Sequence, residues 1–389
     1  MSRSTPRTIV IAGSLAQRPF IGGHTWVFLQ YLLGLRRLGW EVLFVDRLEP
    51  GMCVGEGGEP SSFAGSVNRR YLAEVMERFG LGDRWSLLYD GGREVAGLDR
   101  DEVIERTARS AALINVMGYL EDEEILGTAP LRAFLDIDPG FGQIWKALGL
   151  HDLFRGHDRF LTVGGRIGSA DCAIPTVGLD WIPIKPPVEI AEWPAQAERG
   201  TRFTSVASWR GAFGPLEYDG RTLGLRVHEF RRFFELPGRA SFGFEVALDI
   251  DETETKDLDA LRVHGWRLAD PREAAGDPWR YRDYVQRSSA ELMVAKNLYV
   301  ETHSGWFSDR SACYLASGRP VLAQDTGLAG LLPTGEGLLT YSSLEEAVAG
   351  VEEIERDYER HSRAAREIAE EHFAAGRVLP RALEELGVG

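Results

Sequence analysis

Residues 298–327, LYVETHSGWFSDRSACYLASGRPVLAQDTG, hold the densest collection of side chains able to bind or transfer a charged group. An apolar run over 298–302 reads as a buried strand and enters the small polar turn His303-Ser304-Gly305-Trp306-Phe307-Ser308. A helix over 309–315, the turn 317–320 and a second strand over 320–323 follow, ending in Gln324-Asp325-Thr326. A strand feeding such a turn at a helix start leaves backbone N–H groups and the positive dipole end available to an anion such as a diphosphate. Ligands of open α/β sheets lie outside the carboxyl ends of strands, so Gln324 and Asp325 would face the same crevice.

Two further places carry reactive groups. Gly22-Gly23-His24 opens an apolar helix after the first strand, and an imidazole with an ordinary pKa of about 6.5 can deprotonate a hydroxyl near neutral pH. A histidine packed at a helix start is the structural alternative. Ser208-Trp209-Arg210-Gly211 ends another strand, and Arg226 stands at the start of the helix after it. Guanidinium offers a planar fork of donors to phosphate oxygens without a metal, whereas a surface ion pair is the plainer role for either arginine. Asp46, Asp136 and Asp138 end strands and read as turn caps or acceptor contacts. The loops 136–143 and 157–172 are connections or walls of a pocket.

The string His303-Ser304-Gly305-Trp306-Phe307-Ser308, then Gly318-Arg319-Pro320-Val321, then Gln324-Asp325, resembles the donor-binding signature of GT-B glycosyltransferases, the bacterial nucleotide-sugar-dependent enzymes of group 1 or natural-product type. The resemblance implies two Rossmann-like α/β domains facing a central cleft, with C-terminal helices crossing back to the first domain. It implies that His303, Ser304, Gly305 and Ser308 meet the diphosphate, that Gln324 and Asp325 meet the sugar, that Phe307 and Thr326 also border the donor, and that Trp266 stacks on the base. Gly22 and Gly23 resemble the family's glycine-rich loop, which puts His24 in the position of the general base of inverting members. Trp209 flanks the donor, and Arg210 and Arg226 take the place of the basic residues that neutralise the departing diphosphate. The family's glutamate five residues before the glycine of G-x-P is Cys313 here, and Asp309 is the substitute candidate for it. A metal-independent, inverting transfer of a sugar from a UDP-, TDP- or GDP-sugar to a small-molecule or glycan hydroxyl follows. A retaining transferase, a nucleotide-sugar 2-epimerase-like enzyme and a non-catalytic sugar-nucleotide-binding subunit are the alternatives.

The elements that must position these groups alternate as β and α. The pattern predicts strands over 8–12, 41–45, 85–89, 112–116 and 132–137, with helices between them. A proline-rich segment holding four prolines over 182–200 separates this half from a second series. That series has strands over 203–207, 242–248, 264–268, 298–302, 320–323 and 337–340, and helices over 225–234, 281–296 and 309–315. Helical patterns over 344–356, 361–373 and 378–386 close the chain. With the GT-B resemblance, this pattern implies an acceptor domain over 1–182, a linker over 183–200, a donor domain over 201–360 and returning helices over 361–389. The first loop has no closely spaced G-x-G-x-x-G, which gives a dinucleotide cofactor little support.

Composition narrows the class. The chain of 389 residues is 44% hydrophobic and carries a net charge of −15, with no dense basic cluster, against phosphate-backbone binding. No run of about 18 uncharged apolar residues is available to span a bilayer, and no signal-like core is seen, so a cytoplasmic protein is expected. Three well-separated cysteines support neither a disulfide framework nor a zinc site. The acidic run 249–259 reads as a solvated loop. Homodimerisation is left open.

Overall fold

The computed structural model describes residues 7–211 and 213–389. The first half builds one sheet from β1 (Thr8–Gly13), β2 (Glu41–Leu48), β3 (Trp85–Tyr89), β4 (Glu94–Gly97), β5 (Ala112–Val116), β6 (Arg132–Asp136), β7 (Arg159–Thr162) and β8 (Trp181–Pro183). Its order is β4-β3-β2-β1-β5-β6-β7-β8, parallel throughout except for the β3–β4 pairing. The second half builds a fully parallel sheet in the order β13-β12-β9-β14-β15-β16. Its strands are β9 (Arg202–Ser208), β12 (Gly243–Asp249), β13 (Arg267–Ala269), β14 (Ala290–Met293), β15 (Val321–Gln324) and β16 (Leu338–Tyr341), and the hairpin β10 (Leu216–Tyr218)–β11 (Arg221–Leu223) stands apart from it. Helices cover both faces of each sheet, so the central strands are apolar on both sides: Ile9, Val10, Ile11 and Ala12 of β1 are all fully buried.

Each strand order reverses once beside its central strand, between β1 and β5 and between β9 and β14. Loops leaving the two strands of a reversal part to opposite sides and leave a crevice at the carboxyl edge. The two crevices face each other across one cleft, the arrangement of the GT-B fold.

The sequence pattern misplaces one strand. The strand expected over 298–302 is the short helix Asn297–Glu301, and the helix expected over 281–296 is the helix Pro278–Gln286 followed by β14. Ala290, Glu291, Leu292 and Met293 are all buried, and a run that mixes a glutamate with long apolar side chains reads equally well as the end of an amphipathic helix. The glutamate is tolerated there because Arg310 pairs with it. Part of the acidic run expected as a solvated loop is also structured. Asp249 ends β12, and Asp257 is buried in the helix Thr255–Val263, where it pairs with Arg231 at 2.7 Å and accepts from Trp209 Nε1 at 3.0 Å.

The proline-rich segment is packed over 186–189 and at Trp193, and is mostly exposed over 194–199. Val188 N donates to Phe373 O at 2.7 Å, Ala375 N donates to Val188 O at 2.8 Å, and Trp193 is fully buried. The helix Ala375–Glu385 then lies on the helix Gly22–Arg37 of the first half, so the chain ends against the domain in which it began. No helix among the described residues is long and apolar enough to cross a membrane.

Gly22 fixes how closely the halves approach. A Cβ there would stand 2.1 Å from the carbonyl oxygen of Asp277, a backbone atom that has no rotamer to escape into. We expect Gly22→Ala to lower stability by about 1–3 kcal/mol, the usual cost of overpacking, measured by urea denaturation. Gly376→Ala, which meets nothing within 4 Å, leaves it unchanged or slightly raised.

Candidate functional site

The cleft has a volume of about 500 Å³ and is walled by the loop after β1, the segments after β5 and β6, the ends of β9 and β12, and the start of the helix Asp309–Ala316. Five cationic side chains border it: Arg18 from the first half and Arg226, Arg272, Lys296 and Arg310 from the second. Lys296 Nζ reaches across to Asp138, 2.6 Å from Oδ2, and ties the halves together at the cleft floor. Arg310 pairs with buried Glu291 and donates from Nη1 to Val206 O at 2.9 Å, but its Nη2 is buried without a partner. Arg226 Nε is likewise buried and unpaired, and Arg226 appears in no ion pair among the described residues. Enclosure and the neighbouring Arg310 charge pull the Arg226 guanidinium down to about 10. Burial also lowers the Lys296 ammonium, against the pull of Asp138. A buried donor left without an acceptor is costly, and an anion in this cleft would satisfy one such donor on each of two arginines.

His24 lines the same cleft from the first turn of the helix Gly22–Arg37. Its Nε2 lies 3.0 Å from Ser14 Oγ and 3.2 Å from the Ser14 carbonyl, which can only accept. Nε2 therefore carries the proton in the neutral ring and Nδ1 keeps the lone pair. Burial first, and Arg18 second, push the imidazole pKa down to about 3. Asp309 also lines the cleft, at the start of its helix, and burial raises its carboxyl pKa.

Several residues singled out in the sequence stand away from this cleft. The turn 303–305 faces the first half instead: Arg166 N donates to Ser304 O at 3.1 Å, and Gly164 forms a bridge with Trp306. Its amides are not free, since Gly305 N donates to Thr326 O at 2.7 Å and Trp306 N to Ser304 Oγ at 3.2 Å. His303 is exposed there with φ 49°, while Gly305 and Phe307 border a different cavity. The stretch 157–172, expected as a loop, contains β7, and the loop after that strand locks the two halves together through Arg166, which also binds Gly327 O and Ala329 O. Gln324 is fully buried, donating to Glu229 and accepting from Ala295 N at 3.1 Å. Asp325 Oδ1 caps the next turn by accepting from Gly327 N at 2.9 Å and Leu328 N at 3.0 Å, and Thr326 Oγ1 donates to Trp306 O at 2.6 Å.

The aromatic and arginine candidates divide similarly. Trp266 is buried against Phe230 and Phe244 with Nε1 on Phe234 O at 2.9 Å, and Trp209 is buried on Asp257, so both belong to the second domain's core. Arg210 is more than half exposed and pairs with Glu254 outside the cleft. Gly22 and Gly23 serve the contact between halves, packing on Asp277 and on the Tyr281 ring. Ser308 and Asp309 do line the cleft, and Ser308 Oγ caps the helix by accepting from Arg310 N at 3.2 Å. Asp46 and Asp136 are buried caps, with Ala16 N 2.6 Å from Asp46 Oδ2 and Gln143 Nε2 2.7 Å from Asp136 Oδ2. Burial raises both carboxyls to about 7. Cys313 is buried beneath Gln30 of the first half, one helical turn behind Asp309.

The sequence pattern does not single out Arg18, Arg272, Lys296 or Arg310. Lys296 carries a usable signal, being one of only four lysines, placed just past a buried strand. Arg310 lies at the second helical position after Ser308 and looks like any first-turn residue until Glu291 is brought beneath it. No group of three or more histidine, cysteine or carboxylate side chains suited to a metal is present among the described residues.

Together these features define a two-domain GT-B architecture with a cationic interdomain cleft. No family model and no curated protein matches the sequence. The fold matches solved glycosyltransferases over essentially their whole length. An alpha-glucosyltransferase in complex with UDP-glucose and DNA containing an abasic site gives a TM-score of 0.56 at 12% identity, covering 98% of this chain and 99% of that one. Anabaena Alr3699/HepE in complex with UDP-glucose gives 0.57 at 11% identity over 98% and 99%. The pneumococcal O-GlcNAc transferase GtfA in complex with UDP and GlcNAc gives 0.55 at 8% identity over 99% of each chain. At such identities the likeness is one of fold.

The His24 environment sets a pH signature. A folded-state pKa below the unfolded value of about 6.5 means that the unfolded chain takes up the proton first. The stability this group contributes is thus complete above pH of about 6.5 and drains away as pH falls towards the folded value of about 3. NMR of the imidazole should show His24 neutral from about pH 5 to 8, and His24→Gln should flatten part of the stability loss on acidification below pH of about 6.5. A His24 ring titrating near its ordinary value would contradict the enclosure described.

Proposed function

We propose that the chain is a nucleotide-sugar-dependent glycosyltransferase that holds the donor diphosphate among Arg226, Lys296 and Arg310, with the acceptor on the Arg18–His24 side of the cleft. The observation that carries this reading is the pair of buried, unpaired guanidinium N–H groups, Arg226 Nε and Arg310 Nη2, in a cleft between two facing α/β domains. Buried donors of a charged group are almost always satisfied, and a diphosphate supplies acceptors of the right charge and number. The UDP and UDP-sugars named with the similar structures make UDP the first donor nucleotide to try.

In the reaction, an acceptor hydroxyl oxygen bonds to the anomeric carbon as the bond from that carbon to the diphosphate oxygen breaks. Negative charge gathers on the leaving diphosphate, and the cationic wall stabilises it as it forms. Nδ1 of neutral His24 is the acceptor for the hydroxyl proton in an inverting displacement. The depressed basicity of His24 favours one second reading, a retaining transfer in which a leaving phosphate oxygen takes that proton. The anomeric configuration of the product, read by NMR coupling constants, separates the two.

Arg226→Ala should weaken UDP binding by about 10- to 100-fold, corresponding to roughly 1.5–3 kcal/mol for a charged hydrogen bond, as measured by calorimetry. Arg210→Ala, removed from the cleft and paired with Glu254, should leave the affinity within about twofold. Equal losses in both variants, or no UDP binding at about 1 mM, a concentration at which even weak sites fill, would refute the donor-site assignment. If His24 is the base, His24→Ala lowers turnover by about 10²–10⁴ with UDP affinity preserved; a change under about tenfold assigns the proton to the leaving group instead.

A further inference from the structure

A second cavity, of about 530 Å³, opens where the carboxyl ends of β7 and β8 meet the C-terminal helix Ala375–Glu385. Trp181, Ile184, Phe307, Leu331, Phe373 and Val378 give it an apolar lining. Lys185, Arg377 and Arg381 stand on its wall, and none of the three has a carboxylate within 4.0 Å among the described residues. Lys185 Nζ instead donates to Nδ1 of His372 at 3.1 Å, a neutral partner for a half-buried ammonium. Burial, reinforced by the Arg381 charge, lowers the Lys185 pKa, and burial with the Lys185 charge lowers that of His372. Glu371 and Glu385 also border the cavity, with Glu371 approaching His372 Nε2 at 3.9 Å. In a chain of net charge −15, three cations gathered on one apolar cavity without direct ion pairing are a built asymmetry.

This cavity is separate from the donor cleft. The space between them, bordered by Trp306, Phe307, Asp309 and Cys313, has a volume of about 20 Å³. That admits about one water and no organic ligand. A cavity of about 530 Å³ falls within the usual range for small-molecule sites, roughly 300–1,000 Å³.

We propose that this cavity is a second ligand site for a small amphipathic anion: an apolar chain or ring bearing one carboxylate or phosphate group. The anionic group sits at Lys185, Arg377 and Arg381, and the apolar body lies over Trp181, Phe307 and Val378. The apolar lining supplies affinity and the cations select for charge, since an uncharged analogue leaves Lys185 with only its imidazole partner. The inference rests on the cavity alone and is independent of the glycosyl-transfer reading.

Calorimetric titration of the full chain with decanoate and with decyl phosphate, beside decanol and inorganic phosphate, tests it. One-to-one saturable binding is expected for at least one of the two amphipathic anions, with decanol and inorganic phosphate weaker by about tenfold or more, the scale of a charged hydrogen bond. Binding of decanoate alone identifies a carboxylate ligand, and binding of decyl phosphate alone a phosphate. Arg377 and Arg381 are exposed, so the double variant Arg377→Gln/Arg381→Gln should keep its thermal midpoint and its UDP response while losing about tenfold or more in affinity for the anion. Displacement of the anion by UDP, equal binding of decanol, unchanged binding by the double variant, or no binding of either anion would each overturn the proposal.

Discussion

The close contact of the helix Gly22–Arg37 with the second half is the constraint on which the rest of the structure depends. Three surfaces claim this one helix. Its inner face covers β1 and β2, where Phe28 packs on Phe44. Its start is pressed on the backbone of Asp277, with Trp26 Nε1 donating to Pro278 O at 2.7 Å. Farther along, Gly34 admits Ala375 and Leu379 of the returning helix, whose atoms would lie 2.7 Å from any added Cβ. Glycine is needed at both ends for approach, not for backbone conformation, since neither Gly22 nor Gly34 has a positive φ. The same apposition sets His24 opposite Arg226 and Lys296, so the width of the cleft follows from how tightly this helix is held.

That clamp also explains the electrostatics of the cleft. Bringing the carboxyl edges of two sheets together buries charged groups that would be solvated on either half alone. Lys296 meets Asp138 across the interface and Arg310 meets Glu291 beneath it, whereas Arg226 finds no carboxylate. Burial lowers His24, Lys296 and Arg226 and raises Asp309, whereas Arg310, paired with Glu291, is held above its ordinary value. Desolvation penalises whichever form is charged, so the first four groups are shifted towards their neutral states.

The small polar turn at 303–308 illustrates how a local pattern can be correct in kind and employed elsewhere. The small residues there do make a sharp turn ahead of a capped helix, with Ser308 as the cap. Its amides are consumed by Thr326 and Ser304, and its outer side is closed by Gly164 to Arg166 of the first half. A short motif fixes backbone shape through its own residues, but which side of the turn meets ligand depends on a loop about 140 positions earlier.

The alternation of elements and most strand positions are legible in the sequence alone, because hydrophobic runs bounded by glycine, proline and capping residues act over only a few residues. The segments 85–89 and 112–116 coincide with β3 and β5, and the helix over 344–356 with Leu344–Arg356. Local signal failed at 281–302, where a buried glutamate made β14 look like a helix end and the strand was set too late by one element. Only the tertiary structure decided which charged residues share the cleft. Arg18, His24, Asp138, Arg226, Lys296 and Arg310 come from six separate segments, and what distinguishes them from the chain's other charged groups is desolvation and the identity of the opposing neighbour. Both are properties of how two domains meet, which no local spacing encodes.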